Sequence, residues 1–512
     1  MLNSQPNQIH VWTEAGLDRI AAEVALMPMP TGFQVEVAAP KAAVTQIALR
    51  WQQTMAPHLR ILGDHWERGY GDLEWRGFVP ERVLPWYALL LDPRTGMTTG
   101  IGVATGAGSF ASWRVDETGI TLILDVRNGG KGVQLGGRTL HAATIHTLTS
   151  HDMESPFAFA RRFCALLCPQ PRLPAFPVYG GNDWYYAYGN NSDASIRSDA
   201  ALLRDLAPNR DNAPFMVIDA GWFPARGCNG GPYDRGYEGF PDMPGLAEAM
   251  KAMEVRPGIW IRPLLTAEAP DSWRMPAEHP IWKRESCVVL DPSVPEVLER
   301  VREDIARLRA WGYTLIKHDF TTYDITGHWG FEMMEGAITA GNWNFADRTR
   351  TTAEIVRALY QTIRDAAQEV VLIGCNTVGH LGAGLFELQR TGDDTSGREW
   401  ERTRKMGINT LAFRMAQHAT FFAVDADCVG LTNHVPWELN RQWLELLAAS
   451  GTPLFVSADP AAVGPEQRAA LIDAYARAAT VQPAAEPLDW LHTTAPRHWR
   501  FKDQTREFHW MP

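Results

Sequence analysis

From residue 176 to residue 480 the chain repeats one pattern, a short apolar run followed by an amphipathic stretch. The runs FPVYGG, FMVID, PGIWIRPLL, TLIKHDF, VVLIGC, LFELQR, TFFAVDAD and PLFVSA make eight. Among the stretches between them, ASIRSDAALLRDLA, VPEVLERVREDIARLRAWG and TRTTAEIVRALYQTIRDAAQEV carry the helical period. A helix between two strands returns the chain to the same end of a sheet, so the strands pair in parallel. Eight repeats predict an α/β fold, a TIM (β/α)8 barrel over residues 170–482, closed by PEQRAALIDAYARAATV. Only a loop like HLGAG links the fifth run to the sixth.

Residues 1–165 read as an all-β sandwich domain. WYALLLD, GITLILDV and HAATIHTLT alternate like strands, and DPRTG, DETG and NGGKG mark turns. TEAGLDRIAAEVAL reads as a helix, and the clustered glycines of TGIGVATGAGS as a glycine-rich hairpin. Helical PFAFARRFCALLC and proline-rich LCPQPRLPAFP mark the boundary. Residues 483–512 have room for a short or truncated C-terminal β segment.

Lys plus Arg is 48 and Asp plus Glu is 59, a net charge of −11, with no long basic run. That excludes the electrostatic footprint of a nucleic-acid binder. No apolar run is long enough for a spanning helix, so no membrane is expected. The first residues lack the basic and apolar regions of a secretory signal, so the cytoplasm is the expected compartment, with substrates arriving already imported. Six cysteines in a chain this long are not a disulfide framework. Cys164 and Cys168 share helical spacing and read as a buried helix face. No cofactor and no metal are expected: the 15 histidines show no ligand spacing, and phosphate-loop, zinc-protease and serine-elbow motifs are missing. The 20 tryptophans suit either core packing or stacking on sugar rings.

Hydrolysis without metal or activated serine points to carboxylates at the C-terminal ends of barrel strands. In LIKHDF, alternation turns Lys317 and Asp319 to one side, and a nearby cation favours an ionised, nucleophilic Asp319. In RTGDDT, Arg390 and Asp394 share parity across Gly392, which leaves room for a small ligand. The competing reading makes Asp393 or Asp394 the cap of the helix SGREWERTRKMG. Asp219 and Trp222 end the second run, where Asp219 is placed to grip sugar hydroxyls and Trp222 to stack on a sugar ring, with plain loop structure as the competing reading. Trp184 takes the same position on the first run, and Trp260 and Arg262 on the third, as further candidate sugar contacts. Cys375 ends the fifth and reads as an unreactive thiol lining a pocket.

In order along the chain, GDHWERGYGDLEW, IDAGWF, FPDMPGL, PGIWIRP, LDPSVPEV, GYTLIKHDF, IGCN and RTGDDT resemble segments of the α-galactosidases of glycoside hydrolase family 36, related to family 27. The resemblance implies Asp319 as nucleophile and Asp394 as acid/base, with Asp393 as the fallback. It places Lys317 on sugar hydroxyls, Arg390 near the 2-hydroxyl and Trp66 at the pocket from the N-terminal domain. The sequence departs from the family at Ala220, where a second acid would hold the 4- and 6-hydroxyls, and in its short C-terminal β region. The function implied is that of a retaining exo-acting α-glycosidase, α-galactosidase-like, acting on an oligosaccharide or small glycoside. Asp394 is expected to stay protonated in a less cationic, more enclosed site than that of Asp319. The alternatives are another sugar within the clan (α-N-acetylgalactosaminide, β-L-arabinopyranoside or α-glucoside), a transglycosylase, or a non-hydrolytic carbohydrate-binding protein. Association into a homo-oligomer is left open.

Overall fold

The computed structural model describes residues 5–17, 22–209 and 211–511. The eight runs and the residues just after the seventh form nine parallel strands curled into a barrel: β1 (Tyr179–Asn182), β2 (Phe215–Ile218), β3 (Arg256–Ile261), β4 (Leu315–His318), β5 (Val371–Gly374), β6 (Leu388–Arg390), β7 (Ala423–Asp425), β8 (Cys428–Leu431) and β9 (Leu454–Ala458). The strand order is β7-β6-β5-β4-β3-β2-β1-β9-β8. The seventh stave is therefore split. Its first half, β7, pairs with β6, its second half, β8, pairs with β9, and Ala426 and Asp427 join the two. Helices Asp193–Leu206, Pro295–Ala310, Thr352–Ala367 and Pro465–Ala478 flank the barrel where the sequence periodicity places them. A four-residue turn of helix, Gly379–Gly382, replaces the crossover helix between β5 and β6.

The lumen is packed rather than hollow. Phe215, Val217, Leu315, Ile373, Leu388, Ala423, Cys428 and Phe455 form one buried cluster inside it. Strand alternation carries the same inward parity on to Asp219, Lys317, Asp319, Cys375 and Arg390, so these residues stand on the plug at the C-terminal ends of their strands.

Two antiparallel sheets make the N-terminal sandwich, one of seven strands and one of six. The stretch predicted as a helix instead contributes strands Gly16–Leu17 and Glu23–Met29; residues 18–21 lie outside those described. Strand Glu23–Met29 pairs along its length with Gly32–Ala38, and that hairpin pairing overrides the weak helical period. The glycine-rich hairpin is also corrected. Thr98–Val103 and Phe110–Asp116 belong to different sheets, and the glycines between them carry the chain across the sandwich. Cys164 and Cys168 are buried at the last turns of helix Pro156–Leu167, as their spacing predicts. Cys228 and Cys287, however, are joined, which ties the loop after β2 to the strand Cys287–Val289 after β3. Such bonds persist in oxidising surroundings, so this pair gives the expectation of a cytoplasmic location no support. The C-terminal residues form a three-stranded sheet (Glu486–Pro487, His498–Phe501, Gln504–Glu507). Trp490 docks it against Trp75 of the sandwich and Phe413 of the barrel side. No helix among the described residues is long and apolar enough to cross a membrane.

Four buried histidines are held neutral by the fold. Burial lowers His318 to about 3, and His279, His380 and His418 to about 4 each. The unfolded chain binds protons there that the folded chain refuses. Stability is therefore present above the ordinary histidine range and is lost as pH falls through it. His318 packs between Phe386 and Tyr360 with neither ring nitrogen hydrogen-bonded. His318→Leu is expected to make the fall in Tm between pH 6.5 and pH 4 shallower without lowering Tm at neutral pH, measured by thermal denaturation across pH. An unchanged slope would contradict this account.

Candidate active site

Asp319 follows β4, and its carboxylate is fixed by three N–H donors. Trp260 Nε1 donates to Oδ2 at 3.0 Å, while the amides of Phe320 and Asn376 donate to Oδ1 at 2.7 and 3.0 Å. Phe320 is held at φ 62°, a left-handed conformation rare for a bulky side chain, as the chain turns into helix Thr321–Thr326. That turn aims its amide at Asp319.

Lys317 does not bond Asp319. Its Nζ donates to Asp219 Oδ2 at 2.7 Å, and Asn182 Nδ2 donates to the same oxygen at 2.7 Å. Burial opposes the charge on Lys317, but the Asp219 carboxylate, together with Cys375 and Asp319, outweighs it and holds the amine well above its usual range. Behind this pair, Asp183 accepts from the Asp219 amide at 2.7 Å and from Asn191 at 2.7 Å. Burial, then the charge of Asp219, push Asp183 up to about 7.

Arg390 ends β6 and is 1% exposed. Its Nη2 lies 3.0 Å from Asp394 Oδ1 and 3.0 Å from Asp427 Oδ2. The space predicted between Arg390 and Asp394 is thus closed by a direct ion pair. Gly392 serves packing instead: a Cβ there would run into the Met406 carbonyl. Neither aspartate caps the next helix, Trp400–Thr403, whose N-cap is Glu399. Asp393 pairs with Arg68 at 3.1 Å and Arg402 at 2.8 Å. Asp394 keeps 39% of its side chain exposed, with Arg68 3.7 Å away. Burial raises its pKa, but Arg390, Arg68 and Lys317 outweigh that and hold it at about 2. The expectation of a protonated Asp394 in a poorly cationic site is therefore corrected. It is an anion between guanidinium groups.

Arg68 comes from the sandwich, on a buried polar segment running from Asp64 to Gly69. Gly69 N donates to Thr391 O at 2.7 Å, and Asp393 N to Gly69 O at 2.9 Å, so the segment pairs with the loop that bears Asp394. A Cβ on Gly69 would meet Thr410 Cγ2 at 2.6 Å, which is why glycine stands there. Asp64 accepts from Arg414 Nε at 2.7 Å and from Gln417 at 2.8 Å. Glu67 is bonded by Tyr70, Asn376 and Gly330, and burial raises its pKa.

Several predicted contacts fall elsewhere. Trp222 is fully buried among Phe223, Tyr233 and Trp311 and donates to the Trp260 carbonyl at 2.9 Å, so its ring has no face open for stacking on a sugar. Arg262, 1% exposed, is bidentate to Asp324 (2.9 and 2.5 Å) and stacked on Phe320; its parity points inward, but Asp324 claims it. Trp260 is also buried and positions Asp319 rather than presenting a ring face. Trp66 donates to the Met333 carbonyl at 3.1 Å and packs on Trp86 and Phe110. Trp184 is half-buried, edge-on to Tyr188. Cys375 lies 3.7 Å from Arg390 Nη1, its thiol pushed up by burial and by the charge of Asp319. Sequence reasoning missed Asp183, Asp427, Asn376, Glu67 and Arg68. The last three sit beside residues it did name, in IGCN and HWER.

No family model matches the sequence, and no curated protein matches it. Solved structures do match the fold. An α-galactosidase from Thermus thermophilus in complex with p-nitrophenyl α-D-galactopyranoside superposes with a TM-score of 0.63 at 18% identity, over 99% of this chain and 98% of that one. A family 36 α-galactosidase from Geobacillus stearothermophilus in complex with 1-deoxygalactonojirimycin gives 0.63 at 13% identity, over 96% and 79%. An α-galactosidase from Lactobacillus brevis gives 0.58 at 14%, over 92% and 72%. At these identities the likeness is one of fold.

The buried Arg414–Asp64 pair can be tested by a double-mutant cycle. Arg414→Met alone leaves a buried carboxylate without its countercharge and is expected to cost about 3–5 kcal/mol, read as a fall in urea midpoint. Adding Asp64→Asn should restore part of that loss. Additive losses would mean that the two residues do not depend on each other.

Proposed function

We propose that the chain is a retaining exo-acting α-glycosidase of the α-galactosidase type, releasing terminal α-galactosyl or related residues from oligosaccharides by double displacement. The observation that carries this reading is the pair of carboxylates at the ends of β4 and β6, in unlike settings on one barrel face, with the Lys317 charge acting on both. Asp319, oriented by its three donors, attacks the anomeric carbon. The bond to the leaving oxygen breaks, and that oxygen takes a proton from Asp394. In the second step Asp394 takes a proton from water as the water oxygen attacks the same carbon and displaces Asp319. Asp394, held ionised by its cationic neighbours, is already the base this second step needs. For the first step it takes up a proton from solvent, to which its half-exposed side chain is open.

Ala220 favours a second reading of the sugar. Each charge-assisted hydrogen bond that the family's acid would make is worth about 1.5–3 kcal/mol. A site without that acid tolerates a sugar lacking the hydroxymethyl group or altered at the 4-hydroxyl, as in a β-L-arabinopyranoside, an α-N-acetylgalactosaminide or an α-glucoside. A panel of aryl glycosides separates these.

Asp319→Asn is expected to reduce turnover of an activated aryl glycoside by about 10⁴-fold or more, with azide restoring it as a glycosyl azide. Undiminished turnover would refute the assignment, and sugar binding without any hydrolysis by the unaltered chain would favour a binding protein. The low pKa of Asp394 adds a signature. Its protonated fraction grows about tenfold per unit of falling pH above about 2. The kcat/KM for an oligosaccharide should therefore rise as pH falls from 8 to 5, while that for a dinitrophenyl glycoside, which needs no acid, stays flat. Parallel profiles would remove Asp394 from the acid role.

A further inference from the structure

A second candidate site lies outside the barrel, on the sandwich. In the seven-stranded sheet, register places Trp12, Gln46, Asp125 and Phe110 in one row across four strands. Alternation puts Ser112 and Arg114 on the same face, opposite Ala111, Trp113 and Val115 in the sandwich core. The barrel loop at Gly336, Ile338 and Asn342 closes over this face and leaves a cavity of about 650 Å³, the size of a small-ligand site. Trp66 forms part of its wall.

The charges in the cavity do not cancel. Of its two carboxylates, Asp125 is taken by Arg127 at 2.9 Å and Glu14 by Arg348 at 2.7 Å. Arg114 and Lys131 also line it, and neither has an ion partner among the described residues. Arg114 Nε is buried with no hydrogen-bond acceptor. A buried unpaired donor is costly, and one left in a native fold calls for a partner. On a chain of net charge −11, two uncompensated cations in one cavity stand out from the background.

We propose that this groove binds an acidic oligosaccharide, one carrying uronate units. Its carboxylates would meet Arg114 and Lys131, a ring C–H face would lie on the half-buried indole of Trp12, and its hydroxyls would bond Gln46, Asp125 and Asn342. The site stands apart from Asp319 and Asp394, so its failure leaves the glycosidase reading untouched, and the reverse also holds.

Isothermal titration of the full chain with trigalacturonic acid, and with neutral galactotriose for comparison, tests it. The expected result is one trigalacturonate per chain, binding that weakens as salt rises, and weaker binding of galactotriose. Affinity should fall about tenfold or more in the double variant Arg114→Gln/Lys131→Gln and again on Trp12→Ala, and be unchanged in Asp319→Asn. Circular dichroism checks that each variant is folded. Absence of trigalacturonate binding, equal binding of galactotriose, or binding retained in the folded double variant would overturn the proposal.

Discussion

The mouth of the barrel depends on a segment the barrel does not own. Residues Asp64 to Gly69 leave the sandwich and bury three charged side chains, Asp64, Glu67 and Arg68, against the ends of barrel strands. Each would be costly alone. Each has a partner from the other unit: Asp64 in Arg414, Glu67 in Asn376, and Arg68 in Asp393. The apolar core also runs through sandwich and barrel without a break. Ion pairs of this kind fix geometry more than they add stability, and here what they fix is the loop carrying Asp394.

With that loop in place, the two central carboxylates differ in what surrounds them. Asp319 meets neutral N–H groups from an indole and two amides, which orient it without a full countercharge. Asp394 meets guanidinium groups and is correspondingly acidic. Lys317 belongs to Asp219, which in turn leaves Asp183 as a buried acid near neutrality. Charge thus alternates across the face, anion against cation, with the buried Asp183 carboxyl behind it.

Much of this was legible in the amino-acid order. Parallel strands are buried on both faces, so all eight appear as apolar runs, and inward parity led from Leu315 to Lys317 and Asp319. Parity could not tell an open pocket from a closed layer, which is why Trp222 and Arg262 read as sugar contacts and proved to be packing. Nor could it anticipate which cations would crowd Asp394, because Arg68 arrives from another part of the chain. The helix expected over TEAGLDRIAAEVAL gave way at Gly16–Leu17 and from Glu23 onward because strand pairing outweighed local periodicity. The resemblance to family 36 and the likeness of fold agree in architecture, while Ala220 keeps the sugar itself a separate question.

The split seventh stave has a mechanical consequence. Elsewhere neighbouring staves are riveted by rows of backbone hydrogen bonds; among the described residues no such row joins β7 to β8, and the hoop passes there through Ala426 and Asp427, the latter in a left-handed turn at φ 72°. Asp427 is also the clasp on Arg390. Widening of the rim would concentrate at that fastening, and any substituent that pried it open would loosen the grip on Arg390 before disturbing Asp319 at the end of β4.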